Sequence, residues 1–220
     1  MIGDILPPQV AAVEAFSDLP DVMLYPGEEA VIAKAVDKRR REFTTGRACA
    51  RAALARLGVP SAPILPGLRG SPRWPAGVVG SITHCAGYRA SAVGRTSEVI
   101  TIGVDAEPHD ALPDGVLEAV SSPGERARIA ALAAARPEVS WDRMLFSAKE
   151  SVYKAWFPLT SRWLGFEDAD VDIDPAGRTF TARLLVDGPV LNGSPLTAFG
   201  GRWRVSNGLI ATTIVITRES

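Results

Sequence analysis

The sequence is poor in the residues that carry the commonest chemistries. Two cysteines, Cys49 and Cys85, stand in unrelated contexts, which excludes a disulfide framework and a zinc-binding pattern and suits a reducing compartment. Histidines number only two, so one near a candidate site, His84, is mildly informative. No excess of one charge exists: 24 basic against 25 acidic residues give a net charge of -1, so no global basic field argues for a nucleic-acid partner. No apolar run is long enough to span a bilayer. The opening stretch MIGDILPPQVAAVEAF has acids and prolines where a secretory leader needs a basic start and an apolar centre. The expectation is a cytoplasmic protein that is neither secreted nor membrane-spanning. Walker and GxGxxG phosphate loops are missing, as are the GxSxG elbow and HExxH.

What is present is enough apolar sequence to fold. Hydrophobic residues make up 46% of 220, so one compact unit or two small fused halves are both open. Residues 27–57 are rich in Ala, Glu, Arg and Lys and free of proline, which predicts helix with one basic side, interrupted near Thr44, Thr45 and Gly46. Proline and glycine crowd 58–77 and predict a long surface loop. GVVGSITHC, YRASAVG and EVITIGVDAE read as neighbouring strands. Helix is expected at about 115–135, and again from Trp141 to Trp156 with Leu145, Ala148, Val152 and Trp156 on one apolar stripe. VDIDPAG, RTFTARLLV, GRWRVS and LIATTIVIT return to strands. The fold class is α+β.

Two acidic motifs stand out, GVDAEP at 103–108 and FSAKESVYK at 146–154. Asp105 and Glu107, two apart at a strand end, leave the same face. An isolated D-x-E is most often a solvated strand end. Its functional reading is a magnesium site, because this hard cation takes one or two carboxylates with substrate phosphates completing the shell, and manganese accepts the same ligands. Glu150 and Lys154, four apart on a helix, are ordinarily a surface ion pair worth about 0.2–0.5 kcal/mol. On a core-anchored helix facing Asp105, Glu150 becomes a third ligand or a general base, with Lys149 and Lys154 neutralising phosphate. His84 in GSITHC is more often a structural residue than a phosphate contact, and Arg39, Arg47 and Arg69 are ordinarily solvated. Arg126 and Arg128 read as a solvated helix face, with a share in partner docking as the alternative. His109 is assigned no role. The residues alone lead to an acidic metal site with flanking cations, suited to phosphoryl or pyrophosphate chemistry.

Together, GVDAEP and FSAKESVYKAW resemble the signatures of the surfactin-type and enterobactin-type phosphopantetheinyl transferases. EFTTGRACARAALARLGVP and VVGSITHC extend the likeness, which is nearest to actinobacterial members and covers about 39–157. The resemblance implies two similar α/β halves related by a pseudo-twofold, each a small, mainly antiparallel sheet packed on a long helix. The first half, 1–100, would grip the coenzyme A nucleotide, and the second, 101–220, would carry the metal and catalytic residues, with the active site at the seam. Asp105, Glu107 and Glu150 would hold magnesium. Glu150 would deprotonate the carrier serine, Lys154 would balance pyrophosphate charge, and Lys149 would touch phosphate. Arg39, Arg47, Thr83 and His84 would grip the adenosine and its 3'-phosphate. Thr83 replaces the family's usual serine. Pro66 and Arg69 stand where lysine is usual, with Arg69 as the substitute. The implied reaction moves 4'-phosphopantetheine from coenzyme A to a serine of an apo acyl or peptidyl carrier protein, by a monomer. The rivals are a metal-dependent phosphohydrolase acting on coenzyme A and a non-catalytic coenzyme A-binding module.

Overall fold

Runs of helix and runs of strand follow one another so that each half of the chain builds one sheet on one long helix. The computed structural model describes residues 1–218. In the first half, β1 (Val10–Ala15), β2 (Val78–Cys85) and β3 (Tyr88–Arg95) form an antiparallel sheet in the order β1-β3-β2. Helices α1 (Pro26–Ile32) and α2 (Asp37–Arg56) precede β2, and α2 lies on the sheet. Its buried face, Phe43, Gly46, Cys49, Ala50, Ala53 and Leu54, repeats at three- and four-residue intervals and is mostly small, so the helix approaches the strands closely. Asp37 in the first turn and Arg56 in the last complement the helix dipole.

The expected interruption at Thr44–Gly46 is not there, since α2 runs straight through it. Thr45 is buried with its hydroxyl accepting from Leu19 N (3.1 Å), and Gly46 faces Ile82. The break falls at 33–36 instead, where Arg40 Nη1 covers the Ile32 carbonyl (2.6 Å). The 58–77 segment is a loop anchored at its buried residue Ile64. Glu28 accepts from Ile64 N (2.8 Å) and Arg47 Nε donates to Ile64 O (3.0 Å). Beyond Ile64 the loop folds into a tight projection, with Pro66 bridging Pro72 and a 3-10 turn at Leu68–Gly70.

In the second half, β4 (Val99–Pro108) leads to α3 (Val116–Val120), α4 (Pro123–Ala135) and α5 (Trp141–Thr160). Then follow β5 (Ala169–Asp174), β6 (Thr179–Leu184), a two-residue pair β7 (Val190–Leu191) and β8 (Ser194–Pro195), β9 (Ala198–Ser206) and β10 (Leu209–Thr217). The single helix expected at 115–135 is two, because Ser122 caps α4 and exchanges hydrogen bonds with Glu125 in a capping box followed by Pro123. The large sheet is antiparallel in the order β4-β10-β9-β6-β5. Helix α5 buries Leu145, Ala148, Val152 and Trp156 against it, as the stripe predicted, and extends past Trp156 through Pro158, which lies in its last turn.

The two sheets meet where β2 and β4, each the edge of its own sheet, run side by side. No backbone ladder joins them. Ser81 Oγ accepts from Val104 N (3.2 Å) and Thr83 Oγ1 from Ala106 N (3.0 Å), so side-chain hydroxyls stitch the seam.

Candidate active site

Asp105 lies on β4 beside that seam with 4% of its surface exposed. A buried carboxylate needs donors, and three side chains from two elements supply them. Lys154 Nζ from α5 donates to Oδ1 (2.7 Å), Thr83 Oγ1 from β2 donates to the same oxygen (3.2 Å), and Ser147 Oγ from α5 donates to Oδ2 (2.9 Å). Ser147 in turn meets Thr212 Oγ1 (3.0 Å), which stands opposite Asp105 in the β4–β10 register and also contacts Ser151 Oγ (2.6 Å). The orientation of Asp105 is therefore fixed by both halves of the molecule.

Glu107 and Glu150 share its field. Burial raises the Glu107 carboxyl above its ordinary range and repulsion from Asp105 raises it further, against the opposing pull of Arg143, whose Nη1 donates to Glu107 Oε2 (3.0 Å). Burial likewise raises Glu150, with Asp105 adding to the effect and Lys154 opposing it. Burial pushes the nearby Cys85 thiol up to about 12, with Glu107 and Asp105 as the next causes.

Asp105, Glu107 and Glu150, the carboxylates implied to hold magnesium, do not converge into one tight cluster. Among the described residues no three His, Cys, Asp or Glu side chains stand close enough together to hold an ion. Glu107 is paired with Arg143, and Asp105 is held by Lys154, Thr83 and Ser147. The donor set nevertheless fits a hard dication. It is all oxygen, and Glu107 and Glu150, raised first by burial, are raised further by repulsion from Asp105, which a cation among them would relieve.

Arg39 Nη1 lies 2.8 Å from His84 Nε2, so these two residues do come together. A cleft of about 510 Å³ opens between β2, the Leu68–Pro72 projection and α5. Glu150, Tyr153, Lys154 and Phe157 form one wall. Arg69 lines the opposite wall and sets its guanidinium 5.0 Å from the ring centroid of Trp163, which is 60% exposed.

Two family models match the chain. The 4'-phosphopantetheinyl transferase N-terminal domain matches residues 27–94, which include Arg39, Thr83 and His84, and the 4'-phosphopantetheinyl transferase superfamily matches 101–194, which include Asp105 and all of α5. The 4'-phosphopantetheinyl transferase Svp of Streptomyces mobaraensis is 55% identical over 219 residues, covering 98% of this chain and 89% of that protein. The chain belongs to the 4'-phosphopantetheinyl transferase family. The 4'-phosphopantetheinyl transferases PptT of Mycobacterium tuberculosis (53% over 224 residues, 98% of each chain) and Npt of Nocardia iowensis (49% over 222 residues, 97% and 99%) are similar from end to end.

Within this transferase several expected contacts are engaged elsewhere. Lys149 is 4% exposed, and its ammonium donates to Glu125 (2.9 Å), Phe166 O (2.6 Å) and Ala169 O (3.0 Å). An ammonium has three N–H bonds, so none remains for a phosphate. Arg47 stacks on Phe43 (3.9 Å) and holds Ile64, and burial lowers its guanidinium to about 10. Both are parts of the frame. Thr83 likewise serves Asp105 and the seam rather than standing free for a phosphate. Arg126 donates to Ser121 O (2.6 Å) and Arg128 pairs with Asp170 (2.6 Å), so both hold local structure.

Sequence reading missed Arg143, Ser147, Ser151 and Thr212. A signal existed for two of them. Ser147, Ser151 and Lys154 recur at i, i+4 and i+7, a polar stripe opposite the apolar one on α5. Thr212 was hidden, because only the β4–β10 register brings it opposite Asp105. His109, given no role, accepts from Ser140 N (3.1 Å) and ties the loop after β4 to the start of α5.

Proposed function

We propose that this transferase moves 4'-phosphopantetheine from coenzyme A to a serine hydroxyl of an apo acyl or peptidyl carrier protein. The serine oxygen attacks the phosphorus that bears the pantetheine arm. The bond from that phosphorus to the bridging oxygen breaks, and 3',5'-ADP leaves with the oxygen. The observation that carries the reading is Lys154 bonded to buried Asp105, at the end of a cleft also walled by Glu150.

In this reading Glu150 takes the serine proton. No hydrogen bond or ion pair engages its carboxylate among the described residues, and its raised pKa suits a base. Lys154 has two N–H bonds beyond the one to Asp105 and directs them to the pyrophosphate, where negative charge grows as the bridging oxygen departs. Asp105 keeps that ammonium in place. Arg39 and His84 meet the adenosine 3'-phosphate, and the uncharged pantetheine arm occupies the cleft beside Tyr153 and Phe157. Asp105, Glu107 and Glu150 are the residues that would hold magnesium or manganese, which when bound polarises the bridging phosphates.

The test weighs an apo acyl carrier protein by mass spectrometry after incubation with enzyme, coenzyme A and magnesium. A gain of one phosphopantetheine in wild type and none in Asp105→Ala is the expected result. An unchanged carrier with coenzyme A consumed would make the protein a hydrolase and overturn the reading.

A further inference from the structure

Glu42, on α2, is out of place in an anion site. It is 8% exposed, and its single ion-pair partner among the described residues is His84, whose Nδ1 lies 3.5 Å from Glu42 Oε2. A buried carboxylate beside the groups read here as gripping a phosphate weakens anion binding unless it does something else.

The hydrogen-bond directions say what it does. A guanidinium can only donate, so the 2.8 Å contact from Arg39 means that His84 Nε2 is an acceptor and carries no proton. The proton of the neutral ring then sits on Nδ1, toward Glu42. A doubly ionised phosphate oxygen can only accept, so His84 serves a phosphate through Nε2 only when that nitrogen is protonated. Moving the existing proton across the ring would turn a bare Nδ1 lone pair toward the Glu42 carboxylate, which repels it. Adding a second proton leaves Nδ1–H facing the acid and gives Nε2–H to the phosphate. The charged groups around the ring are Arg39 and Glu42 on α2, Arg89 on β3 and Lys154 on α5. Burial and the three cations all disfavour the imidazolium, and Glu42 alone favours it.

We propose that Glu42 is a positioning residue that makes His84 take up a proton from solvent when the 3'-phosphate of coenzyme A binds. The inference rests on the placement of the 3'-phosphate at Arg39 and His84 given above, and the test separates the two.

Calorimetric titration slightly above neutral pH, in two buffers of different ionisation enthalpy, counts protons taken up with coenzyme A and with 3'-dephospho-coenzyme A. Subtracting the count for His84→Gln cancels protons that the phosphate itself gains or loses. The expected difference is a net uptake with coenzyme A and none with 3'-dephospho-coenzyme A. Glu42→Leu abolishes that uptake and weakens coenzyme A by about tenfold, as for loss of one charge-assisted hydrogen bond. Its unchanged affinity for 3'-dephospho-coenzyme A shows that it is folded. Glu42→Gln, which keeps an acceptor for Nδ1–H, falls between. Equal or tighter coenzyme A binding by Glu42→Leu overturns the inference, since the acid would then act only as a repelling charge. So does an unchanged proton count in His84→Gln if that variant binds coenzyme A more weakly. If His84→Gln leaves the preference for coenzyme A over its 3'-dephospho form intact, the placement of the 3'-phosphate fails, and the inference with it.

Discussion

Two lysines five residues apart in one motif do opposite work. Lys154 sits at the cleft with donors to spare, and Lys149 is sealed into the frame between α4, α5 and β5. Lys154→Met is expected to lower kcat by about 100-fold or more, the scale of losing one preorganised donor to developing charge, in a carrier-modification assay. Lys149→Met should leave the affinity for coenzyme A unchanged by titration. It strands the Glu125 carboxylate, which is 1% exposed, so chemical denaturation should show a loss of about 3–5 kcal/mol. A weakened coenzyme A affinity without loss of stability would instead restore Lys149 to the phosphate site.

Elements position these residues, and the contact between β4 and α5 matters most. Gly103, the glycine of GVDAEP, lies so close to α5 that an added Cβ would stand 2.0 Å from Ser151 O and 2.7 Å from Ala155 N. Gly103→Ala must therefore push the helix off the strand. The expected cost is about 1–3 kcal/mol or more by urea denaturation. Activity should fall further than stability, because Lys154 and Ser147 would be carried away from Asp105. Strands β2 to β4, β5, β6, β9 and β10 and the α5 stripe were legible, because alternation and helical spacing are local signals. Strand β1 was not. VAAVEA is alanine-rich and half-buried, and β3 imposes its extended form through a pairing about eighty residues away. The capping box at Ser122, with proline after it, was in the sequence and would have divided 115–135 correctly. Asp105, Glu150 and Lys154 were readable as motif residues, whereas the framing role of Lys149 depends on Glu125 from another helix.

At the scale of the whole molecule, charges outside the cleft help hold the fold. Burial alone would raise Asp170, but hydrogen bonds and charge from Arg128 and Arg183 outweigh it and hold the carboxyl below its ordinary range. A depressed folded pKa means that the pair's contribution is complete above the unfolded value of about 3.9 and is lost as pH falls through the folded value. Asp170→Asn should thus destabilise the protein at neutral pH, and the gap to wild type should narrow below about pH 4 in denaturation curves. A gap of constant size would mean that the pair contributes nothing through ionisation. Among the described residues no helix is long and apolar enough to cross a membrane.

The seam between the sheets has a consequence for solubility. Strands β2 and β4 are both sheet edges, and open edges are templates on which other chains pair and aggregate. Here Ser81 and Thr83 reach across to the amides of Val104 and Ala106, so each edge blocks the other without fusing the two sheets into one. The hydroxyl that aims Asp105 therefore also covers a strand edge that would otherwise lie open to pairing. Ser81→Ala with Thr83→Ala should yield a chain that clumps on concentration, visible by light scattering, before it unfolds.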